Sequence, residues 1–194
     1  MTLAVVAAGP FTTVQDLGRR GRMHQGVARS GAADRGALRL ANRLVGNDEA
    51  TAGLEVLAGG LVLRAEVPHV VAVTGAEVDV GVGGRREARG VALRMGVGDH
   101  LRLAAATAGL RAYVAVRGGI DVPPVLGSRS YDQLGDLGPR PSASRYGARA
   151  RDAGPRSTAA AGAAPGRSTE TAPEPRRPAA RRLRRAAAGP VPTG

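Results

Sequence analysis

Along residues 1–141, short apolar or alternating runs are punctuated by glycine and proline, the pattern of strands joined by tight turns. The runs fall at Leu3 to Ala7, Gly53 to Leu57, Leu61 to Ala65, Val70 to Thr74, Glu77 to Val82, Val91 to Met95, His100 to Ala104 and Leu110 to Val116. Gly59-Gly60, Gly83-Gly84 and Gly96-Val97-Gly98-Asp99 separate them. A shorter Thr-Thr-Val strand precedes Gln15. One segment has a helical period instead. Ala37, Leu38, Leu40, Ala41, Leu44 and Val45 recur at three-to-four spacing, Asp34 stands as N-cap and Gly46-Asn47 supplies the stop. Closely spaced strands with one helix predict a mainly β fold, a barrel or sandwich with the helix packed on it.

Composition divides the chain. The net charge is +12, and all 28 basic residues are arginine. Residues 1–141 carry 17 arginines against 13 acids, whereas residues 142–194 carry 11 against 3. Leu183 and Val191 are the only large aliphatic residues of that second segment. Such a segment buries too little apolar area to offset its ordering entropy, so 142–194 is expected to be a disordered Ala/Arg/Pro-rich tail. Its composition also matches an out-of-frame reading of GC-rich DNA, with a natural basic tail as the alternative. Arg181-Arg182-Leu183-Arg184-Arg185 has no aromatic interleaving, which argues against specific nucleic-acid binding.

Other classes drop out quickly. There is no cysteine, hence no disulfide, thiol nucleophile or thiolate metal site. The histidines His24, His69 and His100 lack metal-ligand spacing. No apolar run is long enough to span a membrane and no signal-peptide pattern opens the chain, so a soluble cytoplasmic protein is the expectation.

Chemistry-bearing residues concentrate in two places. Gln15, Asp16 and Arg19 put an amide, a carboxylate and a guanidinium within five residues, a set suited to orienting a planar lactam or urea. Asp121, Ser128, Arg129, Ser130 and Asp132 follow the strand exit at Gly118-Gly119 and the Pro123-Pro124 corner. There an arginine fork could clamp a carboxylate or oxyanion while hydroxyls and loop amides add donors. A strand-to-loop network at the first site and an Arg129–Asp132 pair at the second are the structural alternatives. Neither block holds a histidine, so no Ser-His-Asp triad is supported. Gly81, Gly83 and Gly84 are not followed by Gly-Lys-Ser/Thr, and no intrinsic ATP site is expected.

Four blocks taken in order carry a resemblance: Thr12 to Arg19, Ser30 to Asp34, Leu40 to Asn47 and Gly118 to Asp132. Together they resemble the biotin-dependent carboxyltransferase domain family. This family includes the C component of 5-oxoprolinase, proteins like the second allophanate hydrolase subunit, the carboxyltransferase part of urea amidolyase and the antagonist of a sporulation-kinase inhibitor. The resemblance implies a cyclophilin-like β-barrel over residues 1–141, the first of two that members carry. It implies amide-bond hydrolysis, with 5-oxoproline opened to glutamate and ATP used through a complex. The implied partners are a protein like the B component of 5-oxoprolinase and a lactam-utilisation protein. Gln15, Asp16, Arg19, Asp121, Arg129 and Ser130 would orient the substrate. A non-catalytic binding module or an inactive truncated fragment are the other readings. Two residues depart from the pattern: Tyr131 stands in place of threonine, and Arg117 replaces a small residue before Gly-Gly.

Overall fold

The computed structural model describes residues 3–139. Its strands are β1 (Leu3–Ala8), β2 (Phe11–Gln15), β3 (Gly53–Leu57), β4 (Leu61–Ala65), β5 (His69–Glu77), β6 (Val80–Val82), β7 (Arg85–Glu87), β8 (Ala92–Met95), β9 (His100–Leu103) and β10 (Ala108–Val116). A single α-helix, α1 (Arg35–Leu44), stands between β2 and β3 among the described residues. The strands form two five-stranded sheets in the orders β1-β4-β9-β6-β7 and β2-β3-β10-β5-β8. Every pairing is antiparallel. The mainly β fold with one helix is as the sequence predicts, and the expected barrel takes the form of two facing sheets.

Alternation along each strand explains the layers. Leu61, Leu63, Leu101 and Leu103 of the first sheet meet Val14, Leu54, Val56, Val71, Val73, Val114 and Val116 of the second in one aliphatic core. The second sheet is buried on both faces where α1 lies. Ala112, Val114 and Val116 of β10 point into the core between the sheets. Ala115, with Ala72 of β5, meets Ala41 and Val45, while Tyr113 meets Leu38. Small residues under the helix let it sit close, and Thr74 Oγ1 donates to Ala37 O across 2.7 Å. Burial of aliphatic side chains at roughly 1.5–3 kcal/mol each is the main favourable term here, since aromatics are 2% of the chain.

Where the chain crosses between sheets, glycine is required. Gly59 leaves β3 at φ +84°, and a Cβ there would collide with the Ala104 carbonyl. The structure also moves some expected boundaries. β5 runs on through Gly75 to Glu77, so β6 keeps only Val80–Val82. Leu40 is 41% exposed, which makes the apolar stripe of α1 narrower than its spacing suggested. The expected tail at 142–194 lies outside the described residues. No helix of the described residues is long and apolar enough to cross a membrane.

Candidate functional site

The four blocks singled out in the sequence converge. β2 ends at Gln15, and the chain turns so that the Asp16 carboxylate meets the Ser128–Ser130 loop, more than a hundred residues away in sequence. Oδ1 accepts from Ser128 Oγ at 2.6 Å, Ser130 Oγ at 2.6 Å and Gly18 N at 2.7 Å. Oδ2 accepts from Arg129 N at 2.6 Å, and Asp16 N donates back to Ser130 Oγ at 2.8 Å. Burial pushes the Asp16 carboxyl up, but the two hydroxyls and two amide N–H groups outweigh it and hold its pKa below the ordinary value. Asp16 is thus an ionised anchor for the loop.

Arg19 completes the lock. It is 1% exposed, its Nε donates to Val125 O at 3.1 Å, and a terminal nitrogen donates to Ser130 O. The remaining terminal nitrogen is buried without a partner among the described residues. The second block closes against the same turn. Ala32 N donates to Asp16 O at 2.9 Å, and Gly18 and Gly31 pack so closely that a Cβ on either would strike the other loop's backbone.

The Arg129 side chain points away from this lock, its Nε donating to Val122 O at 2.9 Å. It lines a cleft of about 270 Å³ with Asp121, Thr51, Ala52 and the Gly118-Gly119 turn. The helix block frames that turn. Asn42, fully buried, donates to Thr51 O at 2.7 Å, while Asn47 donates to Val116 O at 2.8 Å and accepts from Gly118 N at 2.8 Å. Asn42 therefore does the buried hydrogen-bonding job its place among apolar positions suggested. Arg117 reaches back to Val45 O at 3.0 Å. A guanidinium and a carboxylate at the mouth of a small polar cleft, among loop amides, suit a compact planar substrate carrying a carboxylate or carbonyl.

The predicted residues thus separate into three settings. Asp16, Arg19 and Ser130 form the internal lock, Asp121 and Arg129 face the cleft, and Gln15 lines a different pocket of about 210 Å³ with Thr13, Glu55, Arg111 and Tyr131. Gln15 Nε2 donates to Thr13 Oγ1 at 3.0 Å and Tyr131 O at 3.1 Å. Asp132 is bound by Leu134 N at 3.1 Å, and no Arg129–Asp132 ion pair occurs among the described residues.

Sequence reasoning missed one network. Glu55, half-buried on β3, accepts from Tyr113 Oη at 2.8 Å, Ala33 N at 2.9 Å and Arg111 Nε at 3.1 Å, while Asp34 N donates to Tyr113 Oη at 2.7 Å. Burial, and the Glu55 carboxylate beside it, push the Tyr113 phenol above its ordinary value despite the Asp34 N–H bond. A lone acid inside an apolar strand was the available signal. Gly83-Gly84 closes the β6–β7 hairpin, so those glycines serve a reversal between strands rather than a strand-to-helix phosphate loop.

Comparison with known proteins agrees with this convergence of blocks. The chain is 44% identical over 130 residues to the C component of 5-oxoprolinase from Escherichia coli strain K12, covering 67% of this chain and 42% of that protein. It is 38% identical over 135 residues to urea amidolyase of Lachancea kluyveri, covering 69% of this chain and 7% of that protein. The solved structure of the Kluyveromyces lactis urea amidolyase superposes with a TM-score of 0.69 at 40% identity, over 71% of this chain and 8% of that one. The chain therefore spans less than half the length of each of these relatives. The family described as carboxyltransferase domain, subdomain A and B, matches residues 25–191. With two facing sheets, a locked Ser-Arg-Ser loop and a family match over most of its length, this chain belongs to the carboxyltransferase domain family.

Proposed function

We propose that the chain acts as part of a subunit resembling the C component of 5-oxoprolinase, supporting the ATP-dependent opening of 5-oxoproline to glutamate. Its partners in this reading are a protein like the enzyme's B component and a lactam-utilisation protein, with ATP handled by the complex. The observation that carries the reading is the 44% identity to the E. coli protein, which extends over 42% of that relative. The cleft at Arg129 supports it. In the hydrolysis the lactam C–N bond breaks, water supplies the oxygen of the new carboxylate, and the freed nitrogen takes up a proton. Arg129 and Asp121 orient the lactam and its carboxylate. Asp16, Arg19 and Ser130 hold the loop that presents Arg129, and Gln15 braces β2 against Tyr131.

The similarity to urea amidolyase favours a second substrate class, a urea-like compound with the same planar N–C=O group. One assay separates the two. The full chain is combined with its partner subunits, and glutamate release from 5-oxoproline is compared with ammonia release from urea, each with ATP. Arg129→Lys keeps the charge but loses the planar fork, so lactam turnover is expected to fall by about a hundredfold while the melting temperature stays near wild type. Unchanged turnover would make the cleft a structural feature, and preferential turnover of urea would favour the second class.

A further inference from the structure

Several arginines of the described residues face a carboxylate, as Arg43 faces Glu49 at 2.7 Å and Arg111 faces Glu55 at 3.1 Å. Four others gather at the entry of α1. Arg20 follows the β2 loop, Arg29 stands in the loop before the helix, and Arg35 and Arg39 lie one turn apart on α1. The Nε atoms of Arg29, Arg35 and Arg39 are buried and have no hydrogen-bond partner among the described residues. Glu49, 3.7 Å from Arg39 Nε, also serves Arg43, and a terminal nitrogen of Arg35 reaches the Ser30 carbonyl at 3.5 Å.

These charges oppose one another. The Arg35 charge first, then partial burial and the charges of Arg20 and Arg39, push the Arg29 guanidinium below its ordinary pKa. The positive end of α1 is met by the Asp34 carboxylate, already engaged as the cap on Ala37 N at 2.9 Å, and no further acid stands in the first turn, where Arg35 sits. Nor can the loops swing apart to relieve the repulsion. Arg19 N donates to Arg29 O at 2.6 Å, and Gly18 and Gly31 are in backbone contact. The fold thus holds four guanidiniums near one another with the shared Glu49 and the capping Asp34 as neighbouring acids among the described residues, a net positive arrangement that an external anion would stabilise.

We propose that this arginine cluster docks an acidic segment of a partner protein. Arg35 and Arg39 are spaced by about 6 Å along the helix, and Arg20 and Arg29 extend the charge across two loops. Partly exposed forks spread in this way match a row of carboxylates better than a single anion in a cavity. Nucleic acid fits less well, because no aromatic side chain is interleaved with the cluster for base stacking. The proposal rests on the complex-subunit reading only for there being a partner, and its test needs no turnover.

The test measures binding of a fluorescein-labelled polyglutamate peptide to the full chain by anisotropy, with a DNA duplex and tripolyphosphate as competitors. Arg29→Gln/Arg35→Gln should weaken peptide binding about tenfold and raise the melting temperature by relieving repulsion. Arg181→Gln/Arg184→Gln, which removes equal charge elsewhere, should leave both unchanged. If the first pair does not fold, Arg20→Gln/Arg39→Gln gives the same reading. Equal loss from the Arg181/Arg184 pair would overturn the proposal, as would tighter cluster-dependent binding of DNA or tripolyphosphate. So would a lowered melting temperature with binding intact. Absence of lactam turnover by the reconstituted wild-type complex, with cluster-dependent peptide binding retained, would count against the proposed function alone.

Discussion

At the scale of single residues, the same loop position does two jobs that mutation can separate. The Arg129 amide belongs to the Asp16 lock, whereas its side chain belongs to the cleft. Asp16→Asn tests the lock. Oδ1 takes three donors and Oδ2 takes the Arg129 N–H, so an amide NH₂ in either place would oppose a donor. A loss of about 2 kcal/mol in stability is expected, measured by urea denaturation near neutral pH. The pH dependence has a definite sign. The folded carboxyl titrates below the unfolded one, so its contribution is complete above about pH 4 and is lost as pH falls through the folded value. The wild-type melting temperature should therefore drop on acidification more steeply than that of Asp16→Asn; parallel curves would show that another group governs acid unfolding. Gln15, Asp16, Arg19 and Ser130 stood out in the sequence as chemistry-bearing. Their inward orientation was not legible, because it depends on contacts between blocks some 114 residues apart.

Among the elements, what was legible follows from burial. β10 declared itself because both of its faces are covered, leaving a continuous apolar run. α1 declared itself through its stripe and its Asp34 cap, whose side chain accepts from Ala37 N at 2.9 Å. β7 was missed because Arg85-Arg86-Glu87 has no buried face to leave a pattern. The Glu55–Tyr113 junction escaped for a related reason: its acid faces the helix entry rather than solvent, and spacing alone cannot tell those apart. Tyr113→Phe tests that junction. The change leaves Asp34 N without its acceptor and should cost about 1–2 kcal/mol. The wild-type phenol ionises at higher pH folded than unfolded, so its contribution is full below about pH 10 and is lost as pH rises beyond it. Alkaline melting curves should accordingly be flatter for Tyr113→Phe than for wild type, and identical slopes would mean that the phenol plays no part in alkaline unfolding.

For the described body as a whole, the decisive feature is one aliphatic core shared by both sheets. Leu61, Leu63, Leu101 and Leu103 of the first sheet share that core with Val14, Leu54, Val56, Val71, Val73, Val114 and Val116 of the second, so each sheet buries its inner face against the other. The site depends on that union. The cleft is built at the exit of β10, which pairs with β3 and β5 in the second sheet and turns Ala112, Val114 and Val116 into the core shared with the first. Cutting the core on the far side should therefore unfold both sheets together. Leu101 on β9 is fully buried within the shared core. Leu101→Ala is expected to cost roughly 2–5 kcal/mol. The loss should appear equally in far-ultraviolet circular dichroism and in the absorbance of Tyr113, the one fully buried tyrosine among the described residues, which lies under α1 on the opposite sheet. Coincident transitions are expected; a tyrosine signal that survives loss of the β signal would show the helix-covered sheet to be an independent folding unit.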